Sequence, residues 1–286
     1  MFETLKNVFR VKEMRRKLLY LIWMIFIIRI GCQIPVPGVD SDFFKQWFSS
    51  NAGDAFNFFD AFTGGSFERM SIFALNITPY ITSSIIIQLL TIAIPALEEM
   101  QRDGEEGRKK MTAITRYVTV GLALFESIAM AIGFGRQGMI PNLDFFKGVV
   151  VVACLTAGSA MLMWLGERIT EKGVGNGISI VLTINIISRV PSDLTLLYEN
   201  FIKGKTIAKG TLAGLIIAAV ILLVVVLVLI LNGAERRIPV QYSRKMVGRK
   251  MMGGQSTNIP LKVNTAGVIP VIFASSIMSS AVSERA

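Results

Sequence analysis

The 286 residues contain no histidine. The side chain that most often serves as general acid, general base or metal ligand is therefore missing. Cys32 and Cys154 lie in separate apolar stretches. Two thiols are too few for a disulfide framework or a thiolate zinc site, and both read as packing residues. Gly133-Phe-Gly-Arg-Gln-Gly138 has dinucleotide-binding spacing, but no strand leads into it. Gly104 to Lys110 is basic and contains glycine but lacks the phosphate-loop spacing, and Asn76-Ile-Thr78 fits a glycosylation acceptor only inside an apolar stretch. What remains is polarity inside apolar segments. Glu126 is mid-segment and could carry a coupled proton, though no His or Asp relay accompanies it, whereas Arg29 lies near a segment end and can snorkel. Asn76, Thr82, Ser83, Ser84, Gln88, Thr183 and Asn185 suit interhelical hydrogen bonds or a hydrated path between helices.

The elements that must carry these groups follow from composition. The chain is 52% hydrophobic and 17% charged, with mean hydropathy +0.56. Soluble domains average roughly 25% charge, and a disordered chain would be far less apolar. An all-α polytopic membrane protein is left. Seven spans are expected: Leu18 to Ile34, Ser71 to Ile94, Tyr117 to Gly135, Gly148 to Gly166, Ile178 to Ser188, Thr211 to Leu231 and Val263 to Val282. The fifth has only 11 residues between Gly177 and Arg189 and reads as a broken or interior helix.

Net charge is +10, from 30 Lys and Arg against 20 Asp and Glu. With the N-terminus inside, segments 1–17, 95–116, 167–177 and 232–262 hold 20 of the basic residues and the outside segments 8. That asymmetry sets a cytoplasmic N-terminus. Residues 1–17 read as a basic amphipathic helix suited to anionic lipid headgroups. Residues 35–70 are too rich in Phe for a free outside loop and should tuck back as a short re-entrant helix. Residues 232–262, with Arg236, Arg237, Arg244, Lys245, Arg249 and Lys250, suggest a hairpin-like finger.

Phe62-Thr-Gly-Gly-Ser-Phe-Glu-Arg-Met-Ser-Ile-Phe-Ala-Leu-Asn-Ile-Thr-Pro-Tyr-Ile-Thr-Ser-Ser-Ile-Ile-Ile-Gln-Leu-Leu90 resembles the SecY family, the main subunits of bacterial Sec protein-conducting channels. Arg29 to Gly38, Trp164 to Ile180, Glu235 to Tyr242 and Gln255 to Phe273 agree in the same order. The resemblance implies a channel of two inverted five-helix halves. This chain would supply the first half, 18–190, and the start of the second, 191–286, with two of its helices; Ser276 to Ala286 drifts from the family pattern. It implies a hydrophobic pore ring at Ile77, Ile81, Ile178, Leu182 and Ile272. It implies a plug at about 58–70, with Phe58, Phe62, Gly64, Gly65, Phe67 and Arg69. It implies a lateral gate with Thr82, Gln88 and Asn264, and a docking finger with Arg236, Arg237 and Arg249. The implied partners are the small subunits SecE and SecG, the motor ATPase SecA, the ribosome, signal sequences and unfolded polypeptides, and membrane lipids, in a bacterial plasma membrane. No cofactor, metal or catalytic residue is implied. The competing readings are an ion-coupled secondary transporter using Glu126, and a membrane scaffold or enzyme subunit.

Overall fold

The computed structural model describes residues 11–41, 43–46, 60–136, 138, 140, 144–201, 203, 207–240, 245–247, 250–252, 257–265 and 267. Residues 1–10, Phe58, Arg249, Ile272 and the seventh expected span beyond 267 lie outside the described residues. By internal contacts the chain divides into two units, Met1–Pro191 and Ser192–Ala286.

Helix α1 spans Lys12–Gly31, and a salt bridge between Lys17 and Glu13 at 3.3 Å lies along its first turns. The chain then turns back. Val36 donates to the Met70 carbonyl and Ile72 to the Ile34 carbonyl, both at 3.0 Å, so residues 34–36 and 70–72 are tied together. Helix α2 spans Thr78–Ala93, with Pro in its first turn. The sequence pattern places the start of this span at Ser71, seven residues too early. Ser71 bridges Pro35, residues 72–77 are turns, and Met70 and Asn76 have φ values of 45° and 52°. An uninterrupted apolar run hides these left-handed positions, which Asn tolerates better than most residues. Ile94 is extended ahead of Pro95, as a residue before proline should be. Helix α3, Pro95–Arg102, therefore leaves α2 at a bend of 104°.

Helix α4 spans Gly104–Arg136, 33 residues, or about 50 Å at ~1.5 Å per residue. A hydrocarbon core of about 30 Å leaves its charged first turns outside. Helix α5 spans Phe145–Lys172, capped by the Asp144 carboxylate, which accepts from the Phe145 N–H at 2.9 Å. Helix α6 spans Gly177–Phe201 and contains Pro191. The fifth span is thus a continuous helix of 25 residues rather than a short or broken one. Arg189, which ends the apolar run in the sequence, is a good helix former and pairs with Asp60 inside the protein. Pro191 lacks the N–H that would bond residue 187, and the boundary between the two units falls there.

Two apolar clusters organise the first unit. One joins Val36, Phe44, Phe67, Met70, Leu75, Phe134, Val151 and Leu155. Phe44, Phe67 and Phe134 meet edge-on, with centroids 5.0–6.1 Å apart. The other joins Ile28, Cys32, Phe73, Ile77, Leu162, Leu165, Ile169 and Val181. Hydroxyls also meet between helices: Ser83 and Thr119 lie 2.5 Å apart across α2 and α4, and Thr156 donates to Ser127 at 3.1 Å across α5 and α4. Such contacts suit helices packing in lipid.

In the second unit, helix α7 spans Ile207–Gly233. All but Ile217 of its large apolar side chains from Leu212 to Leu231 are exposed, a surface that water would not tolerate and a bilayer does. Among the described residues four helices are long and apolar enough to cross a membrane, or five if α2 and α3 count as one bent span. The finger expected at 232–262 is formed by strands. β1 (Glu235–Val240) pairs antiparallel with β4 (Thr257–Lys262), and β2 (Lys245–Val247) with β3 (Lys250–Met252).

Candidate functional site

The turn before α6 is built by hydrogen bonds from its own sequence. The Thr170 hydroxyl donates to the Gly166 carbonyl and accepts the Gly177 N–H, both at 2.9 Å. The Asn176 carboxamide oxygen accepts the Ile178 N–H at 3.1 Å. Two N–H groups that every helix start leaves unpaired are thereby satisfied. Gly177 is required there, because an added Cβ would sit 2.0 Å from the Gly166 carbonyl oxygen. The start of α6 thus crosses α5 in backbone contact.

That crossing brings four of the expected ring residues together. Ile77 is buried in the second apolar cluster, and Ile81, Ile178 and Leu182 pack against it half-buried. Ile77 Cδ1 and Ile178 Cγ1 both approach Gly166, at 3.4 and 3.3 Å from the position its Cβ would take. Ile178, Leu182, Asn185 and Arg189 recur at helical spacing and share one face of α6. The face is apolar for its first turn and polar over the next two.

The polar part meets residues 60–70. Residues 60–63 form one helical turn and 64–70 are turns, so the re-entrant helix expected at about 58–70 is, among its described residues, mostly non-helical. Asp60 is fully buried. One of its carboxylate oxygens accepts from the Thr63 hydroxyl at 3.1 Å and the Glu68 N–H at 3.0 Å, and the other faces Arg189. The Asn76 amide donates to the Phe62 carbonyl at 2.9 Å, the Asn185 amide donates to the Asn76 carboxamide oxygen at 3.1 Å, and Arg29 donates to the Asn185 carboxamide oxygen at 3.3 Å. Gly64 has φ +68°, and an added Cβ would lie 2.6 Å from the Asn185 carbonyl oxygen. Gly65, at φ +81°, has open space. Phe67 is buried in the first cluster, and Arg69 is exposed and bonds Gln33.

Thr82 is half-buried on α2 and Gln88 is exposed, six residues further along and so on a different face. Asn264, in the second unit, donates to Asn232 at 3.2 Å and accepts the Gly267 N–H at 3.0 Å. Arg236 and Arg237 are exposed on β1, opposite Leu261 and Pro260, and as neighbours in a strand they face opposite sides of the ribbon. Glu126 is half-buried on α4 with no ion pair or hydrogen bond among the described residues. Also among the described residues, no group of three carboxylates or thiols could hold a metal.

Sequence reasoning picked out Arg29, Asn76 and Asn185 singly and missed Asp60 and the role of Arg189. The available signal was the spacing of Asn185 and Arg189 along the same helical face as Ile178 and Leu182.

A family model described as SecY matches residues 71–284. The match therefore includes most of the segment after Ser276, where the sequence pattern drifts. The chain is 44% identical over 285 residues to a protein translocase subunit SecY of Halalkalibacterium halodurans, covering 97% of this chain and 65% of that relative. It spans just under two thirds of the relative's length. Among solved structures, one described as a protein conducting channel is similar with TM-score 0.58 at 19% identity, covering 92% of this chain and 56% of that one. Another, with TM-score 0.56 at 20% identity over 93% of this chain and 56% of that one, is described as a SecY protein whose plug domain stabilises the closed state and maintains a membrane seal.

Proposed function

The chain belongs to the SecY family, and on that premise we infer that it lines the pore of a protein-conducting channel in a bacterial plasma membrane, with its N-terminus cytoplasmic. Unfolded secretory polypeptides pass through it, and apolar segments leave it sideways into lipid. The observation that carries this reading is the convergence of Ile77, Ile81, Ile178 and Leu182 in one apolar cluster at the crossing of α2, α5 and α6. A collar of branched apolar side chains excludes water and ions at small radius, yet offers no fixed site to hold a passing chain. The protein supplies no reaction of its own; the driving energy comes from a partner.

Residues 60–70 act as the plug, seated on the polar part of the α6 face and on Phe134 through Phe67. Thr82, Gln88 and Asn264 belong to the lateral gate. The ribbon of β1 and β4 presents Arg236 and Arg237 on opposite sides, a geometry that suits a finger inserted into an acidic protein or rRNA groove of SecA or the ribosome. SecE and SecG complete the assembly. The experiment is transport of a radiolabelled unfolded secretory protein into inverted membrane vesicles. Vesicles depleted of the chain lose protease-protected product and regain it when the chain's gene is restored. Undiminished transport after depletion contradicts the proposal.

A further inference from the structure

We propose that Asp60 and Arg189 form a charge latch that holds residues 60–70 closed against α6. The proposal rests on the channel reading above.

Asp60 fastens both its own loop and the neighbouring helix. Through one carboxylate oxygen it binds Thr63 and the Glu68 N–H, and through its backbone carbonyl it accepts the Gly65 N–H at 3.3 Å, so it shapes the loop. Through the other oxygen it binds Arg189, whose side chain is 19% exposed while that of Asp60 is 0% exposed. A buried carboxylate left without its cation is strongly unfavourable, because neither water nor another charge replaces the lost pairing. Moving residues 60–70 away from α6 must break this pair, the Asn76 bond to the Phe62 carbonyl and the seat of Gly64 on the Asn185 carbonyl. The Asn76 bond is neutral and exchangeable with water, and the Gly64 approach is a van der Waals contact. The ion pair is the charged element and sits at the outer end of the same helical face that carries Ile178 and Leu182, about 16 Å along α6 from Ile178. The latch therefore acts on the segment above the collar without touching the collar.

Cys32 provides a native reporter. It is 3% exposed, lies beside Ser66 and would be uncovered if residues 60–70 moved away. Membranes carrying the chain are treated with N-ethylmaleimide, and labelling at Cys32 is followed by mass spectrometry, with Cys154 as reference for general unfolding. Resting ion conductance is recorded in parallel. Arg189→Gln is expected to speed Cys32 labelling at least about tenfold, since one buried charge is left unpaired. Asp60→Asn with Arg189→Gln is expected to label more slowly than Arg189→Gln, since no unpaired charge remains, yet at least about threefold faster than the parent, since the pair that holds the loop is gone. Parental labelling in either variant, or a double variant at least as fast as the single, overturns the latch. Should Arg189→Gln also raise Cys154 labelling, Arg189→Lys decides: labelling near the parent supports the latch, and labelling as fast as Arg189→Gln overturns it. Cys32 labelling that follows this pattern in a chain that conducts in no variant even when a signal sequence is supplied leaves the latch standing and removes the channel reading. Unchanged labelling beside a normal gated conductance does the reverse.

Discussion

Gly64→Ala and Gly65→Ala form a matched pair that isolates one contact. Both glycines have left-handed φ, +68° and +81°. Adding a Cβ at such a position costs about 1–2 kcal/mol. At Gly65 nothing else stands in the way. At Gly64 the new Cβ would lie 2.6 Å from the Asn185 carbonyl oxygen and 2.9 Å from the Ser188 hydroxyl. Ser188 can rotate, but its hydroxyl donates to that same carbonyl at 2.6 Å, and the carbonyl is fixed in α6. Overpacking of this kind costs roughly a further 1–3 kcal/mol. Since 1.4 kcal/mol is about tenfold in an equilibrium, Gly65→Ala should weaken the seating of residues 60–70 by about 5- to 30-fold. Gly64→Ala should weaken it by about 30- to 5,000-fold. The assay is the rate of Cys32 labelling by N-ethylmaleimide at rest, without a signal sequence, which reads the seating directly because Cys32 is buried beside residues 60–70. Equal effects of the two substitutions would refute the claim that Gly64 seats against α6, because the backbone penalty is common to both.

The remaining predictions concern separate parts of the molecule. Gly177→Leu should prevent α6 from crossing α5, because its Cβ would fall 2.0 Å from the Gly166 carbonyl oxygen; loss of folded protein in detergent, read by fluorescence size-exclusion, checks this. Arg236→Glu with Arg237→Glu should weaken binding of ribosomes to vesicles, and the parent's binding should fall with salt more steeply than the variant's; equal salt slopes would speak against phosphate contact. Glu126→Gln should leave protein transport within about twofold of the parent, since the carboxylate makes no ion pair among the described residues. Arg116→Ala should lower stability by only about 0–1 kcal/mol despite its 2.9 Å bond to Glu167, because the guanidinium is half exposed.

Much of this architecture is legible in the residues. Span positions follow from long apolar runs, and α4, α5 and α7 fall where those runs are. The finger is legible from its basic run, its length and its Gly253-Gly254 pair. Two features are not. The start of α2 at Thr78 depends on left-handed backbone at Met70 and Asn76, which hydropathy does not register. The burial of Arg189 midway along α6 is matched by Asp60, more than a hundred residues away in sequence. A charged residue at a span end looks like a boundary until its distant partner is known. The collar residues raise a related difficulty. Ile77 on its own is indistinguishable from any other buried isoleucine, and its packing in one cluster with Ile81, Ile178 and Leu182 is not visible in the sequence.

The most direct measurement is single-channel recording of the reconstituted channel carrying Ile81→Asn and Leu182→Asn. Both side chains are half-buried members of the collar cluster, so the change alters wetting with less harm to packing than a change at the fully buried Ile77. A polar collar hydrates and conducts. A persistent ion current at rest is expected in the double variant, where the parent is sealed. A double variant that stays sealed at rest while still transporting protein would contradict it.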